Sequence, residues 1–235
     1  MPNSFFADYH AWLDFKEKAL PANIFGYLLL QYFIRYFKCE PFDTACYDDP
    51  KEIARCGPLG ARKFLKEPLP ERTGPRPEMG KWVVPHRQVS QFGEQKMHKR
   101  LDQTIIHLAN AHSNHIVITT SALEGHGDAI LIADKIKTPH QVAAKTKREI
   151  AHVHTAGKNV DYSMHAALSP QDCKEVIKKG WGERMTLAGT LKMPSEYLMI
   201  YTPRNEGELK VVKMILEAAI GFMTGTDKVE SSNVD

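Results

Sequence analysis

The chain has 235 residues, 43% of them apolar and 25% charged, enough for one sizeable core in one large or two small domains. A net charge of +3, with no basic block interleaved with aromatics, argues against nucleic acid as a partner. No basic segment, apolar run and cleavage site open the chain as in a secretory signal, so an intracellular location is expected.

Residues 1–56 are aromatic and read as an N-terminal helical segment. Its most apolar stretch, "NIFGYLLLQYFIRYFK" at 23–38, is shorter than the roughly 20 residues of a membrane span. Tyr27, Gln31 and Arg35 recur every four positions as one narrow polar stripe. Ile24, Phe25, Leu28, Leu29, Leu30, Phe33, Ile34 and Phe37 fill the rest of the circumference. Two readings stand: a mostly buried core helix, or a helix lying in a membrane interface with Arg35 and Lys38 snorkelling. Four cysteines (Cys39, Cys46, Cys56, Cys173) without a CxxC pair read as thiols of a reducing compartment. A Cys39–Cys46 or Cys46–Cys56 disulfide is the lesser alternative.

Residues 57–88, dense in proline and glycine, predict an irregular connection that wraps the surface or forms a lid. From 89 to 225 the pattern is that of an α+β domain forming one fold with the preceding parts: a small, mainly antiparallel sheet with packed helices. "QKMHKRLDQTIIHLANA" (95–111) keeps helical spacing, and "HIVITT" (115–120) and "AILIA" (129–133) read as paired strands. "EIAHVH" (149–154) and "YSMHAAL" (162–168) form a second pair around "TAGKN". In "SPQDCKEVIKKG" (169–180), Ser169 suits the N-cap, Pro170 the first turn and Gly180 the stop. "YLMIY" (197–201) is a short strand, and Asn205 caps a long helix reaching Gly225. Residues 226–235 read as a flexible polar tail.

Alternate residues of a strand share a face, so His152 and His154 point the same way, roughly 6.5–7 Å apart. Antiparallel pairing lets His165 join them, with His126 nearby and Glu149 able to orient one imidazole. Three chemistries fit. HxH plus a third histidine supplies a metal with three nitrogens and an open position. Alternatively, one imidazole acts as a base while cations hold the resulting anion. Finally, these are strand histidines with hydrogen bonds and no task. Spacing alone does not choose.

Longer runs carry a family likeness. "TKREIAHVH", "SMHAALSPQDCKEVIKKGWGER" and "YTPRNEGELKVVKMILEAAIGFMTG" closely resemble the luciferases of bioluminescent fungi and their non-luminous relatives. The likeness is dense from Lys145 to Gly225. It thins upstream at "TSALEGHGDAILI", "DYHAWL" and "FGYLLLQYF", and the proline-rich middle matches poorly. The resemblance implies an oxygenase acting on 3-hydroxyhispidin, a hydroxylated styryl-α-pyrone, with dioxygen as co-substrate and no organic cofactor. Oxygen adds to the ring, and an endoperoxide collapses with loss of carbon dioxide to a caffeylpyruvate-type product. It also implies a transmembrane anchor ahead of the matching region, which this sequence is expected to lack. One departure stands out. Where the luciferases have a histidine and a proline before "LAG", this chain has Met185 and Thr186, so a related dark reaction is expected.

On this reading His152, His154 and His165 do the acid–base work, Glu149 assists, and Arg184 and Arg148 steady oxyanion and peroxide. Trp181 stacks on the flat ring, and His126, His86 and Arg87 lie at the pocket. Each has a plain alternative: Trp181 as a core plug, Arg148 in a surface ion pair, Glu149 as a strand anchor. If a metal is present, its ligands are the same three histidines. The rival functions are a metal-dependent hydrolase or cyclase, and a non-catalytic small-molecule or membrane-surface protein.

Overall fold

The computed structural model describes residues 5–16, 20–190 and 193–226. The expected tail at 226–235 lies, beyond Thr226, outside the described residues. Helices α1 (Phe5–Phe15), α2 (Ile24–Phe37) and α3 (Pro50–Arg55) come first, and α4 (Gln95–Ala111) opens the sheet domain. Strands β1 (Ile116–Thr120) and β2 (Asp128–Ile132) follow, then the short helix α5 (Gln141–Lys145). After them come β3 (Glu149–Val153), β4 (Met164–Ala167), α6 (Pro170–Lys178), β5 (Gly182–Arg184), β6 (Tyr197–Ile200) and α7 (Glu206–Thr224).

The six strands form one antiparallel sheet in the order β1-β2-β3-β4-β6-β5. The expected α+β class and both expected hairpins are present; β5 and α5 carry too few residues for periodicity to announce them. Helices end as their chemistry dictates. Ser169 caps α6 through the Asp172 N–H, Asn205 caps α7 through Glu208 N–H, and Gly225 closes α7 at φ 70°. The core runs continuously from Tyr47 to Met223, with Ala151, Ala166 and Leu198 of the sheet joined by Val212, Leu216 and Ala219 of α7.

Strand parity then fixes what the other face carries. In register across the sheet, Ala129 opposes His152, His152 opposes His165, His165 opposes Met199 and Met199 opposes Glu183. Registered partners share a face, so two histidines and a glutamate lie in one row.

Two expectations need correction. The segment at 57–88 is irregular as expected but does not merely skirt the surface. Leu65, Leu69, Trp82, Val83, His86 and Arg87 are all buried. Beyond one short antiparallel bridge between Met79 and Gln88, it borrows acceptors from α6 and β5. The Phe64 and Leu65 N–H groups donate to Asp172, Leu69 N–H donates to Glu175, and Arg76 donates to the Gly182 carbonyl. The helix at 23–38 is not a mostly buried core helix. Tyr27 of the polar stripe is buried, while Phe25 is 66% exposed, Leu28 52% and Tyr36 67%. The cause is that, among the described residues, only one side of α2 is covered. Trp12 of α1 and Trp82 and Val83 of the irregular segment meet Tyr27 and Leu30 there. No described helix is long and apolar enough to cross a membrane. All four cysteines are free, so neither disulfide forms.

Candidate active site

His152 on β3, His154 just beyond it and His165 on β4 come together as three buried rings. Ring centroids lie 5.2 Å apart for His152–His154, 5.2 Å for His152–His165 and 5.1 Å for His154–His165. Each ring is gripped from behind at Nδ1. Glu149 Oε1 sits 2.5 Å from His152 Nδ1. Ser163 Oγ is 2.9 Å and Asp161 Oδ1 3.3 Å from His154 Nδ1, and the Leu198 carbonyl is 3.2 Å from His165 Nδ1. A nitrogen facing such acceptors carries the proton, so all three rings turn Nε2 inward.

Glu149 is itself fully buried and held by four donors besides His152. The Ser121 hydroxyl and the Ala122 and Leu123 N–H groups donate to Oε2, and Tyr197 OH donates to Oε1 at 3.2 Å. Tyr197 also stacks on His165, with centroids 5.1 Å apart and planes 17° apart. Facing the rings is Glu124, whose Oε1 lies 3.5 Å from His152 Nε2 and 3.8 Å from His154 Nε2. Arg87 completes the cluster. Its guanidinium donates to Glu124 at 2.7 Å, to the His86 carbonyl at 3.1 Å and to His154 Nε2 at 2.9 Å.

Electrostatics follow from these neighbours. Burial opposes charge on His152, but the hydrogen bonds and charges of Glu124 and Glu149 outweigh it and push its pKa up to about 9. Burial, with Arg87 and His152 beside it, drives His154 well below the ordinary histidine range. Burial and the neighbouring histidines do the same to His165. Burial would raise Glu124 and Glu149, yet their cationic neighbours hold both low. Burial lifts Asp161 to about 6 despite its bonds from Ser163. One charged and two neutral imidazoles therefore share a space closed by a carboxylate and a guanidinium.

The rings of His152 and His165 open on a cavity of about 570 Å³, with His154 buried beside them. Its lining combines polar side chains (His86, Arg87, Glu124, His126, His152, His165, with Lys145 and Lys147) and apolar ones (Val83, Val84, Leu123, Leu187, Met193). Met185 and Tyr197 line it too. His86 adds a second carboxylate–imidazole pair. Its Nε2–H donates to Glu183 Oε1 at 3.1 Å, while Tyr201 OH donates to Oε2 of the same carboxylate at 2.8 Å. His86 Nδ1 is buried and has no hydrogen-bond partner.

The structure thus brings together His152, His154, His165, Glu149, His126, His86 and Arg87. Three other candidates stand apart from the cavity. Trp181 is buried in the main core and donates its indole N–H to the Pro70 carbonyl at 2.7 Å, so it plugs the core. Arg148 adopts φ 73° and donates to the carbonyls of Ile132, Ala133 and Ile136, which spends its guanidinium on the backbone. Arg184 follows Glu183 on β5 and therefore faces the other side of the sheet, where it donates to the Ala188 carbonyl.

Sequence reasoning missed Glu124, Asp161, Glu183 and Tyr197. The last two were within reach of strand alternation once β5 was known, since Glu183 and Tyr197 share the histidine face. Glu124 and Asp161 sit in loops that carry no periodic signal.

A model of the luciferase domain family matches residues 147–219, which hold the three histidines, Glu149, Asp161, Glu183 and Tyr197. Over 228 residues the chain is 36% identical to the luciferase of Neonothopanus nambi. The figure is 39% for that of Armillaria mellea and 38% for that of Armillaria ostoyae. Each comparison covers 92% of this chain and 80% of the relative. No solved structure matches. The histidine cluster and the cavity beside it are therefore set in a chain that belongs to the fungal luciferase family.

Proposed function

We propose that this protein is a luciferase-like oxygenase. It uses dioxygen on a hydroxylated α-pyrone, or on a related polyketide-derived or aromatic substrate, with loss of carbon dioxide and no organic cofactor. The supporting observation is the cavity's mixed lining: apolar side chains such as Val83, Val84, Leu123 and Leu187 to hold a flat ring, and imidazoles, Arg87 and Glu124 to act on it. Family membership supports the reaction class.

Triplet oxygen does not react directly with a closed-shell substrate, and an enolate is electron-rich enough to begin the transfer. His86 is the group we assign to take the hydroxyl proton, because Glu183 fixes its Nε2–H and leaves Nδ1 with a free lone pair. This moves the role of base away from His152, which its two carboxylates keep charged, and from His154, whose Nε2 already accepts from Arg87. Arg87 then stabilises the enolate and the peroxide that oxygen addition forms. The apolar walls exclude water while the peroxide closes and carbon dioxide leaves.

Met185 supports a dark version of the reaction. It lines the cavity where the resembling luciferases carry histidine, and a thioether cannot carry a proton. Thr186 beside it donates to the Val83 carbonyl at 2.9 Å.

The partner we assign besides the substrate is a lipid surface under the exposed face of α2. Val83 belongs to the small core beneath α2, Val84 and Leu187 pack against that core, and all three line the cavity. An apolar substrate dissolved in a bilayer would then have a short apolar route inward.

The test mixes purified protein with 3-hydroxyhispidin in an oxygen electrode under a photon counter. Oxygen uptake with little light is expected, and His86→Ala lowers uptake by roughly 10²–10⁴-fold. Absence of uptake with this pyrone and its close analogues sinks the reading. Undiminished uptake in His86→Ala sinks only the assignment of the base. Replacing Met185 by histidine and Thr186 by proline is expected to raise photons per oxygen consumed.

A further inference from the structure

We propose that the inward Nε2 atoms of His152, His154 and His165 bind a divalent first-row transition metal, with the Glu124 carboxylate as fourth donor. The three residues offer ligand atoms that all lie within 4.8 Å of one another. The spacing of the rings is the sharper observation. An ion about 2.0–2.1 Å from each Nε2, with ring centres roughly 1.1 Å beyond and near-tetrahedral angles, places ring centres about 5.2 Å apart. All three observed separations are 5.1 or 5.2 Å.

The surroundings agree. A metal-bound histidine hands its other nitrogen to an oxygen that fixes tautomer and orientation. Here Glu149, the Asp161–Ser163 pair and the Leu198 carbonyl do this for the three rings in turn. Glu124 Oε1 lies 3.5 and 3.8 Å from two of the Nε2 atoms, within a small shift of a shared ion. His152 Nε2 is buried and meets Glu124 Oε1 at 3.5 Å, longer than a well-formed hydrogen bond. The cavity beyond leaves space for an exogenous ligand on the open side.

Donor chemistry selects the class of ion. Three imidazoles disfavour magnesium and calcium, which take oxygen ligands, and the absence of thiolate from the cluster disfavours copper(I). What remains is a divalent ion of the manganese-to-zinc series. Arg87 is the one opposing group, because its guanidinium donates to His154 Nε2 at 2.9 Å. On metal binding that contact is given up, while Arg87 keeps Glu124 and the His86 carbonyl. Binding also displaces any proton held at the Nε2 atoms, so affinity falls in acid.

The site shares its cavity with the proposed oxygenase, but metal content is measured without substrate, so either reading can fail alone. The experiment uses untagged protein grown with manganese, iron, cobalt, nickel, copper and zinc, analysed by mass spectrometry of its metals after gel filtration. About one ion per chain is expected. His154→Gln with His165→Gln should bring it below about one-tenth, with circular dichroism reporting whether the variant folds. Asp161→Asn touches no ion and should weaken binding by roughly 10–100-fold through His154 alone.

If the double variant does not fold, stripped wild-type protein is titrated with cobalt(II). Visible ligand-field bands saturating at one equivalent support the site. Wild type without metal and without cobalt bands overturns the proposal. So does full metal content in the folded double variant, which would place the ion elsewhere.

Discussion

The sheet domain and the N-terminal α1–α2 hairpin treat apolar surface in opposite ways. The sheet domain buries one continuous cluster from Tyr47 to Met223. Within it, the domain keeps Glu149, His152, His154, Asp161 and Glu183 out of water. The hairpin gathers five buried residues, Trp12, Tyr27, Leu30, Trp82 and Val83, and turns Phe5, Phe6, Phe25, Leu28 and Tyr36 outward. Buried charge is costly unless fully paired, and a large rigid core can hold the pairing in place. The hairpin has no such surplus. Its aromatic face is left exposed, while the histidine face is enclosed.

The sharpest way to break the contrast is to strip one partner from the buried network. Glu149→Ala leaves the Ser121 hydroxyl, two N–H groups and the charged His152 unmatched, and should cost about 3–5 kcal/mol. At roughly 2–4 °C per kcal/mol, thermal unfolding should show it plainly. A loss below about 1 kcal/mol would mean that the network is not tightly paired.

Equal truncations in the two regions come next. Leu216 and Leu30 are both fully buried, one in the continuous core and one in the hairpin's small cluster. Leu216→Ala should fall in the upper half of the usual range of about 2–5 kcal/mol and Leu30→Ala near its floor, because the thin hairpin relaxes into the gap. Equal losses in denaturant unfolding would show that the hairpin is as rigid as the sheet.

Glu196 probes the core from a different side. It is 1% exposed, and burial lifts its carboxyl from 4.5 to about 7. The folded chain then holds a proton that the unfolded chain has released, so this group's contribution to stability falls as pH rises from about 4.5 to about 7. Glu196→Gln removes the dependence and should gain about 1–3 kcal/mol at pH 8, with no gain below pH 4.5. A pH-stability curve identical in shape to wild type would refute the assignment.

The smallest effect on folding, and the most telling for the hairpin, is expected from Phe25→Glu. Phe25 is 66% exposed, so stability should move by less than about 0.5 kcal/mol. Binding to liposomes in a sedimentation assay should nevertheless be lost. If wild type does not sediment with liposomes at all, the lipid surface is not the hairpin's partner.

Much was legible in the sequence because it was local. Alternation made β1 to β4 and β6 visible, and the caps Ser169 and Asn205 announced α6 and α7. The pairing of β3 with β4 followed from their closeness in the chain, and with it the meeting of His152 and His165. Alternation alone also placed His152 and His154 on one side. The long run from Lys145 to Gly225 carried the family.

What only the tertiary structure decided is whatever depends on partners distant along the chain. The route of the irregular segment brings His86 and Arg87 against residues 67 or more positions away, including His154 and Glu183. The three residues of β5 are too few to declare a strand, and one step of parity puts Glu183 behind His86 and sends Arg184 to the opposite face. The same limit applies to α2. Its apolar circumference was plain, but which side is covered depends on Trp12, Trp82 and Val83, and no helical period records where those residues come to rest. Periodicity encodes the face an element offers, whereas packing between distant segments chooses which faces meet.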